Sequence, residues 1–142
     1  RLAEGVFDEE DLVFRTKELY EFIHSASKQY DFDPQNVVAI GYSNGANIAA
    51  SLLFHYDRIL KGAILHHPMV PIRGLTLPDL SDVQIFIGAG INDPIGTSQE
   101  TKELESLLAS ANASVTVHWE ANGHQLTTSE VDASRKWYRK YF

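Results

Sequence analysis

The segment Gly41-Tyr42-Ser43-Asn44-Gly45-Ala46 sets a hydroxyl between two glycines, and a wholly apolar run, Val37-Val38-Ala39-Ile40, leads into it. A buried strand that turns straight into a helix through G-x-S-x-G lifts the serine Oγ above the carboxyl edge of a sheet. The turn is tight, so Ser43 is expected in a strained backbone conformation. Gly41 and Gly45 are expected to remove Cβ atoms that would strike the neighbouring strand and helix. The serine also stands at a helix N-terminus, where backbone N–H groups hold developing negative charge. The N–H of Asn44 is the expected donor to an oxyanion. A strand–turn–helix with a capping serine would look the same, so the partners must decide.

A serine hydroxyl is a poor nucleophile until a base takes its proton, and histidine suits that task near neutral pH. Of the 6 histidines, His24 falls mid-helix far upstream. His55 falls roughly 18 Å along the helix that follows Ser43, at ~1.5 Å per residue. His118 lies inside a strand. His66 and His67 follow a strand at the same edge as Ser43. His124 follows Gly123 on a loop leaving a later strand, Asn122-Gly123-His124-Gln125, and can reach over the sheet. The acid that orients such an imidazole is expected at Asp93, at the end of Gly88-Ala89-Gly90-Ile91-Asn92-Asp93-Pro94. Asp79 and Asp82 precede their strand and fall at the wrong edge. Ser43, Asp93 and His124 then appear in chain order, each after a different strand, where open α/β sheets place their sites. The catalytic set expected is Ser43, Asp93 and His124.

The elements that must position them follow from periodicity. Leu12, Leu19, Phe22, Ile23, Ala26 and Tyr30 recur at helical spacing from Asp8 to about Tyr30. Asp8 with Asp11 resembles an N-cap with an acid at N3. Val37–Ile40 reads as a strand buried on both faces, as in a parallel sheet. Residues 44 to about 56 run from small (Gly45, Ala46, Ala49, Ala50) to large (Leu52, Leu53, Phe54), as suits a helix whose start presses on a sheet. Further strands are expected at 62–65, 83–88 and 114–119. Helices are expected at 98–110, with Leu104, Leu107 and Leu108 inward, and from Thr127 to about Tyr141, where Thr127 and Glu130 fit a capping box. Pro68 to Ser81 reads as a loop. Helical crossovers between buried strands imply an α/β domain over 1–142, with a mostly parallel sheet and helices on both faces.

Composition excludes several alternatives. The 142 residues suffice for one domain, and the 0 cysteines remove disulfides, thiolate catalysis and thiolate metal sites. A cysteine-free chain suits a cytoplasmic location. The net charge of −7 argues against nucleic-acid binding, which needs clustered cations. Arg135, Lys136, Arg139 and Lys140 cluster near the end and read as the solvated last turns of a helix. No apolar run reaches the ~18–20 residues of a membrane span.

With these residues in hand, the chain resembles the α/β-hydrolases, and more narrowly the phospholipase/carboxylesterase group and the MhqD-like hydrolases of Bacillus-type bacteria. Gly41 to Ala49 looks like the nucleophile segment, Gly88 to Ile95 like the acid loop, and Asn122-Gly123-His124 like the histidine loop. The resemblance implies an α/β-hydrolase fold and hydrolysis of a carboxylic ester or thioester through a serine acyl-enzyme, with no cofactor. It also implies strands before the first helix and an early His-Gly-rich loop that supplies the second oxyanion donor. No such segment stands upstream of Leu12. The expectation is therefore a fold lacking its first strands, with Val37–Ile40 left as an apolar edge. On its own such a chain is expected to be weakly active or inactive, and the complete protein an esterase.

His66, His67, Met69 and Ile95 are expected around the substrate pocket, although a loop histidine capping a strand would serve equally for the first two. Two other readings compete. A hydrolase-like binding protein would keep the fold and lose the chemistry, and a metal site would draw on His66, His67, His118 and His124, whose spacing fits poorly. The partner expected is a small-molecule ester. The edge strand, or the Trp137, Tyr138 and Phe142 tail, would support a homodimer.

Overall fold

A computed structural model describes residues 8–142. The elements are α1 (Glu9–Gln29), a 3-10 turn (Pro34–Asn36), β1 (Val38–Tyr42), α2 (Asn44–His55), β2 (Gly62–His66), β3 (Gln84–Gly90), α3 (Ser98–Ser110), β4 (Ser114–Glu120) and α4 (Thr128–Tyr141). The segment between β2 and β3 holds neither helix nor strand, as its prolines lead one to expect. The order of helices and strands follows the periodicities.

All four described strands are parallel, in the order β1-β2-β3-β4. Alternation along each strand sends side chains to two faces. Ala63, Leu65, Ile85, Ile87 and Ala89 meet Ala46, Ala49, Ala50 and Leu53 of α2 and Leu104 and Leu108 of α3 in the main core. Ile64 and Phe86 point the other way, onto Trp137 of α4. Helices thus cover both faces. The alanines at the start of α2 let it lie close to β1 and β2, which brings the helix N-terminus to the carboxyl edge of the sheet.

Three details of packing differ from expectation. β1 is not buried on both faces: Ile40 is 69% and Tyr42 41% exposed, because β1 has a strand on one side only among the described residues and α4 packs on β3 and β4. A groove of about 620 Å³, lined by Val38, Ile40, Tyr42, Ile64, Leu126 and Tyr138, separates that face of β1 from α4. On α1, the inward face is narrower than the apolar stripe. Leu12, Thr16, Ile23 and Ser27 are buried, whereas Phe22 and Tyr30 are exposed; Phe22 sits ~100° round the helix from Ile23. Thr16 Oγ1 donates to Leu12 O (2.6 Å) and meets Ser51 Oγ at 2.7 Å, a polar bridge between α1 and α2. Finally, Trp137 is buried and Phe142 packs with it against the sheet. Of the tail residues Trp137, Tyr138 and Phe142, the first is therefore buried, the last half-buried and Tyr138 exposed.

Candidate functional site

The parallel register aligns Tyr42, His66, Gly88 and His118 across the sheet. The residues that follow these strand ends therefore gather above one rim. Ser43 turns between β1 and α2 with φ 55° and ψ −112°. A positive φ at a residue with a side chain stores strain of order 1–3 kcal/mol, and here the surroundings impose it. Ser43 N–H donates to His66 O (2.9 Å), and its carbonyl accepts the N–H of Asn47 (3.0 Å). Gly41 is required by sterics, since a Cβ there would lie 2.4 Å from Gly45 C. Gly45 is not: among the described residues a Cβ at Gly45 meets nothing within 4 Å. The expected clash at that second glycine is absent among the described residues, where Gly45 is exposed.

The three residues expected as nucleophile, acid and base are brought together. Ser43 Oγ lies 2.8 Å from His124 Nε2, and His124 Nδ1 lies 2.7 Å from Asp93 Oδ2. A carboxylate only accepts, so Nδ1 carries the proton and Nε2 is free to accept from the serine hydroxyl. The ring of His124 is 19% exposed, while the Asp93 side chain is fully buried. Burial would push the Asp93 carboxyl up, but donors from His124, the Ile95 N–H and His67 hold it below the usual carboxylate range. Asp93 Oδ1 accepts the N–H groups of Ile95 (2.8 Å) and Gly96 (3.0 Å), an Asx turn that locks the carboxylate. The loop bearing His124 is tied down twice. Tyr42 Oη donates to His124 O (2.6 Å), and Gly123 N–H donates to Asn92 Oδ1 (2.8 Å). Gly90 permits this approach, since a Cβ there would stand 2.1 Å from Gly123 O.

Asn44 opens α2 directly after Ser43, the position assigned to an oxyanion donor. The second donor expected from a segment before Leu12 lies outside the described residues. Met69 is buried, with its N–H held by Asn47 Oδ1 (2.7 Å), and Ile95 is half-buried beside Asp93. His67 is enclosed among the described residues. Its ring is fully buried, with Nδ1 2.9 Å from Asp93 Oδ2 and Nε2 2.7 Å from Glu130 Oε1. His66 is nearly as buried, and its Nδ1 meets Glu130 Oε2; the same residue touches the β1–α4 groove. These two histidines are enclosed because α4 lays Glu130 over the rim.

Glu130 was hidden by its position. It was expected to turn back as a capping-box acid. Its backbone N–H does donate to Thr127 Oγ1 (3.2 Å), but its carboxylate points inward, wholly buried. Glu130, Ser134 and Trp137 form the buried stripe of α4, and an acid on that stripe was the available signal. Gly88 makes room, since a Cβ there would lie 2.2 Å from Glu130 Oε2. Burial would raise the Glu130 carboxyl, but hydrogen bonds from His66 and His67 outweigh it and hold the group at about 2. Burial would likewise lower His67, yet Glu130 and Asp93 together raise it above the ordinary imidazole range.

Donor atoms of His67, Asp93 and His124 lie within 4.8 Å of one another, close enough for one ion. However, both rings direct Nδ1 at the same Asp93 oxygen, and a shared hydrogen-bond acceptor accounts for the spacing. His118 instead stacks on Phe86, with ring centroids 6.2 Å apart. A concavity of about 640 Å³, lined by Asp33, Tyr56 and Lys61 among others, opens at the amino end of the strands, away from Ser43. No helix among the described residues is long and apolar enough to cross a membrane.

Comparison with known proteins agrees with this fold. The model of the Dienelactone hydrolase family matches residues 8–140. A Bacillus subtilis (strain 168) protein named "Putative hydrolase MhqD" is 57% identical over 140 residues, spanning 99% of this chain and 70% of that protein. The crystal structure of the Bacillus cereus carboxylesterase superposes with a TM-score of 0.97 at 65% identity, covering 100% of this chain and 67% of the other. A carboxylesterase from Mesorhizobium loti superposes with a TM-score of 0.89 at 25% identity, covering 98% and 66%.

Proposed function

Because the chain belongs to the Dienelactone hydrolase family and has the α/β-hydrolase fold, we propose that it cleaves carboxylic esters or thioesters through a serine acyl-enzyme. That it is a hydrolase of the dienelactone hydrolase and carboxylesterase type follows from its relatives. The finer reading rests on one observation: Ser43 Oγ, His124 and Asp93 form a continuous row of hydrogen bonds of 2.8 and 2.7 Å.

The row supports the following sequence of steps. His124 Nε2 takes the proton of Ser43 as Oγ attacks the acyl carbon. Asp93 holds the correct tautomer and stabilises the imidazolium that forms. The backbone N–H of Asn44, at the positive end of α2, receives the oxyanion. The imidazolium then protonates the leaving alcohol or thiol, and water repeats the attack on the acyl-serine. Met69 and Ile95 are assigned to the wall of the acyl site, from their place beside Asn47 and Asp93.

A fluorophosphonate reacts readily only with an activated serine, so the complete protein should be labelled at Ser43, as read by peptide mass spectrometry. Ser43→Ala should lose both the label and the turnover of p-nitrophenyl acetate. Failure of the folded wild-type protein to label, or labelling that survives Ser43→Ala, refutes the proposal.

A further inference from the structure

Glu130 and His67 are ionisable, buried and unused by the steps above. A neutral imidazole carries one N–H. If His67 were neutral, one of its nitrogens would point a lone pair at a carboxylate at 2.7 or 2.9 Å. The missing proton has little room on either acid. Asp93 already accepts from Ile95, Gly96, His124 and His67, and Glu130 contacts both His66 and His67. The remaining assignment is an imidazolium between two carboxylates.

We propose that His67 and Glu130 are positioning residues for the triad: His67, protonated on both nitrogens, holds Asp93 Oδ2 in place, offsets part of its charge and so sets the pH at which His124 becomes a working base. This rests on the reading of Ser43, Asp93 and His124 as an esterase triad. The two rings share one oxygen of Asp93, and their centroids are 5.4 Å apart. A cation at that distance opposes the imidazolium that His124 must become, and counters the pull of Asp93. Glu130 keeps the cation in place from the far side. The groups facing His67 are Asp93 from the β3 loop, Glu130 from α4, the ring of His124, and the edge of Tyr42 at 6.0 Å. Those facing His124 are Asp93, Ser43, His67 and the ring of Tyr42 at 5.6 Å.

The test is the pH dependence of kcat/KM for p-nitrophenyl acetate in the complete protein. His67→Asn combined with Glu130→Gln keeps an amide donor toward Asp93 and removes both charges. The cation lies nearer His124 than Glu130 does, so its loss outweighs the loss of the anion and the acid limb of the profile should move upward. A drop in the plateau with the limb unmoved would show a purely structural role and overturn the proposal. Should the double variant not fold, side-chain 15N NMR of the wild-type protein decides. Both ring nitrogens of His67 should carry protons at pH 7, where a free imidazole is mostly neutral, and a singly protonated ring at pH 7 refutes the assignment. If the wild type neither labels nor turns over ester, the esterase reading fails by itself, and the NMR result still decides the protonation of His67.

Discussion

Replacing Gly41 by alanine should disable the nucleophile, whereas the same change at Gly45 should be harmless. The Cβ added at Gly41 would stand 2.4 Å from Gly45 C, 2.5 Å from Gly45 O and 2.6 Å from Ala46 N. That is about 1 Å short of ordinary contact, and the obstruction is backbone, which cannot rotate aside. β1 and the first turn of α2 must therefore separate by a similar amount. Overpacking of this kind costs about 1–3 kcal/mol. With a midpoint shift of about 3 °C per kcal/mol for a domain of this size, the thermal midpoint should fall by roughly 3–9 °C. The larger effect is on chemistry. Ser43 lies between the two elements forced apart, and a displacement of ~1 Å at a reacting group can reduce the rate ~10²-fold. Gly45→Ala adds a Cβ that meets nothing within 4 Å. It also replaces a helical glycine, for a gain of up to ~1 kcal/mol. Thermal midpoints and second-order fluorophosphonate labelling rates of both variants, measured beside the wild type, provide the comparison. Labelling of Gly41→Ala at the wild-type rate, or equal damage from Gly45→Ala, refutes the steric reasoning.

Glu130→Gln should lower stability in a pH-dependent way. A carboxyl held at about 2 against its ordinary 4.5 contributes roughly 3 kcal/mol, present above pH ~4.5 and lost as pH falls toward ~2. Urea-denaturation stabilities should therefore differ most near neutrality and converge in acid; a gap that does not change with pH contradicts this. Tyr42→Phe removes the hydrogen bond to His124 O and should slow kcat several-fold, the equivalent of about 1 kcal/mol, with KM little changed. Unaltered kcat would show that the loop holds itself. Asp93→Asn presents an amide N–H to His124 Nδ1 and reverses the tautomer, so kcat should fall by ~10³–10⁴ at neutral pH; a fall of less than tenfold excludes Asp93 as the orienting acid.

The local signals in the sequence were strong where one element decides its own form. Asp8, Thr97 and Thr127 cap their helices with side-chain acceptors. Val-, Ile- and Ala-rich runs became strands, and small residues began the helix behind Ser43. G-x-S-x-G, Asp93 and His124 were legible because each follows a strand, and parallel strands bring their carboxyl ends to one rim. The element order and that row of three side chains are thus properties of the linear pattern. What the chain places across elements was not legible. Whether Phe22 faces in or out depends on which ridge of α1 meets α2. Whether β1 is covered depends on where α4 lies. The capping position of Glu130 reads identically whether its carboxylate turns to Thr127 or into the core. Only the packing of α4 over Gly88, with the His66–His67 pair beneath it, selects the second, because a buried acid is stable where opposing donors outweigh its desolvation.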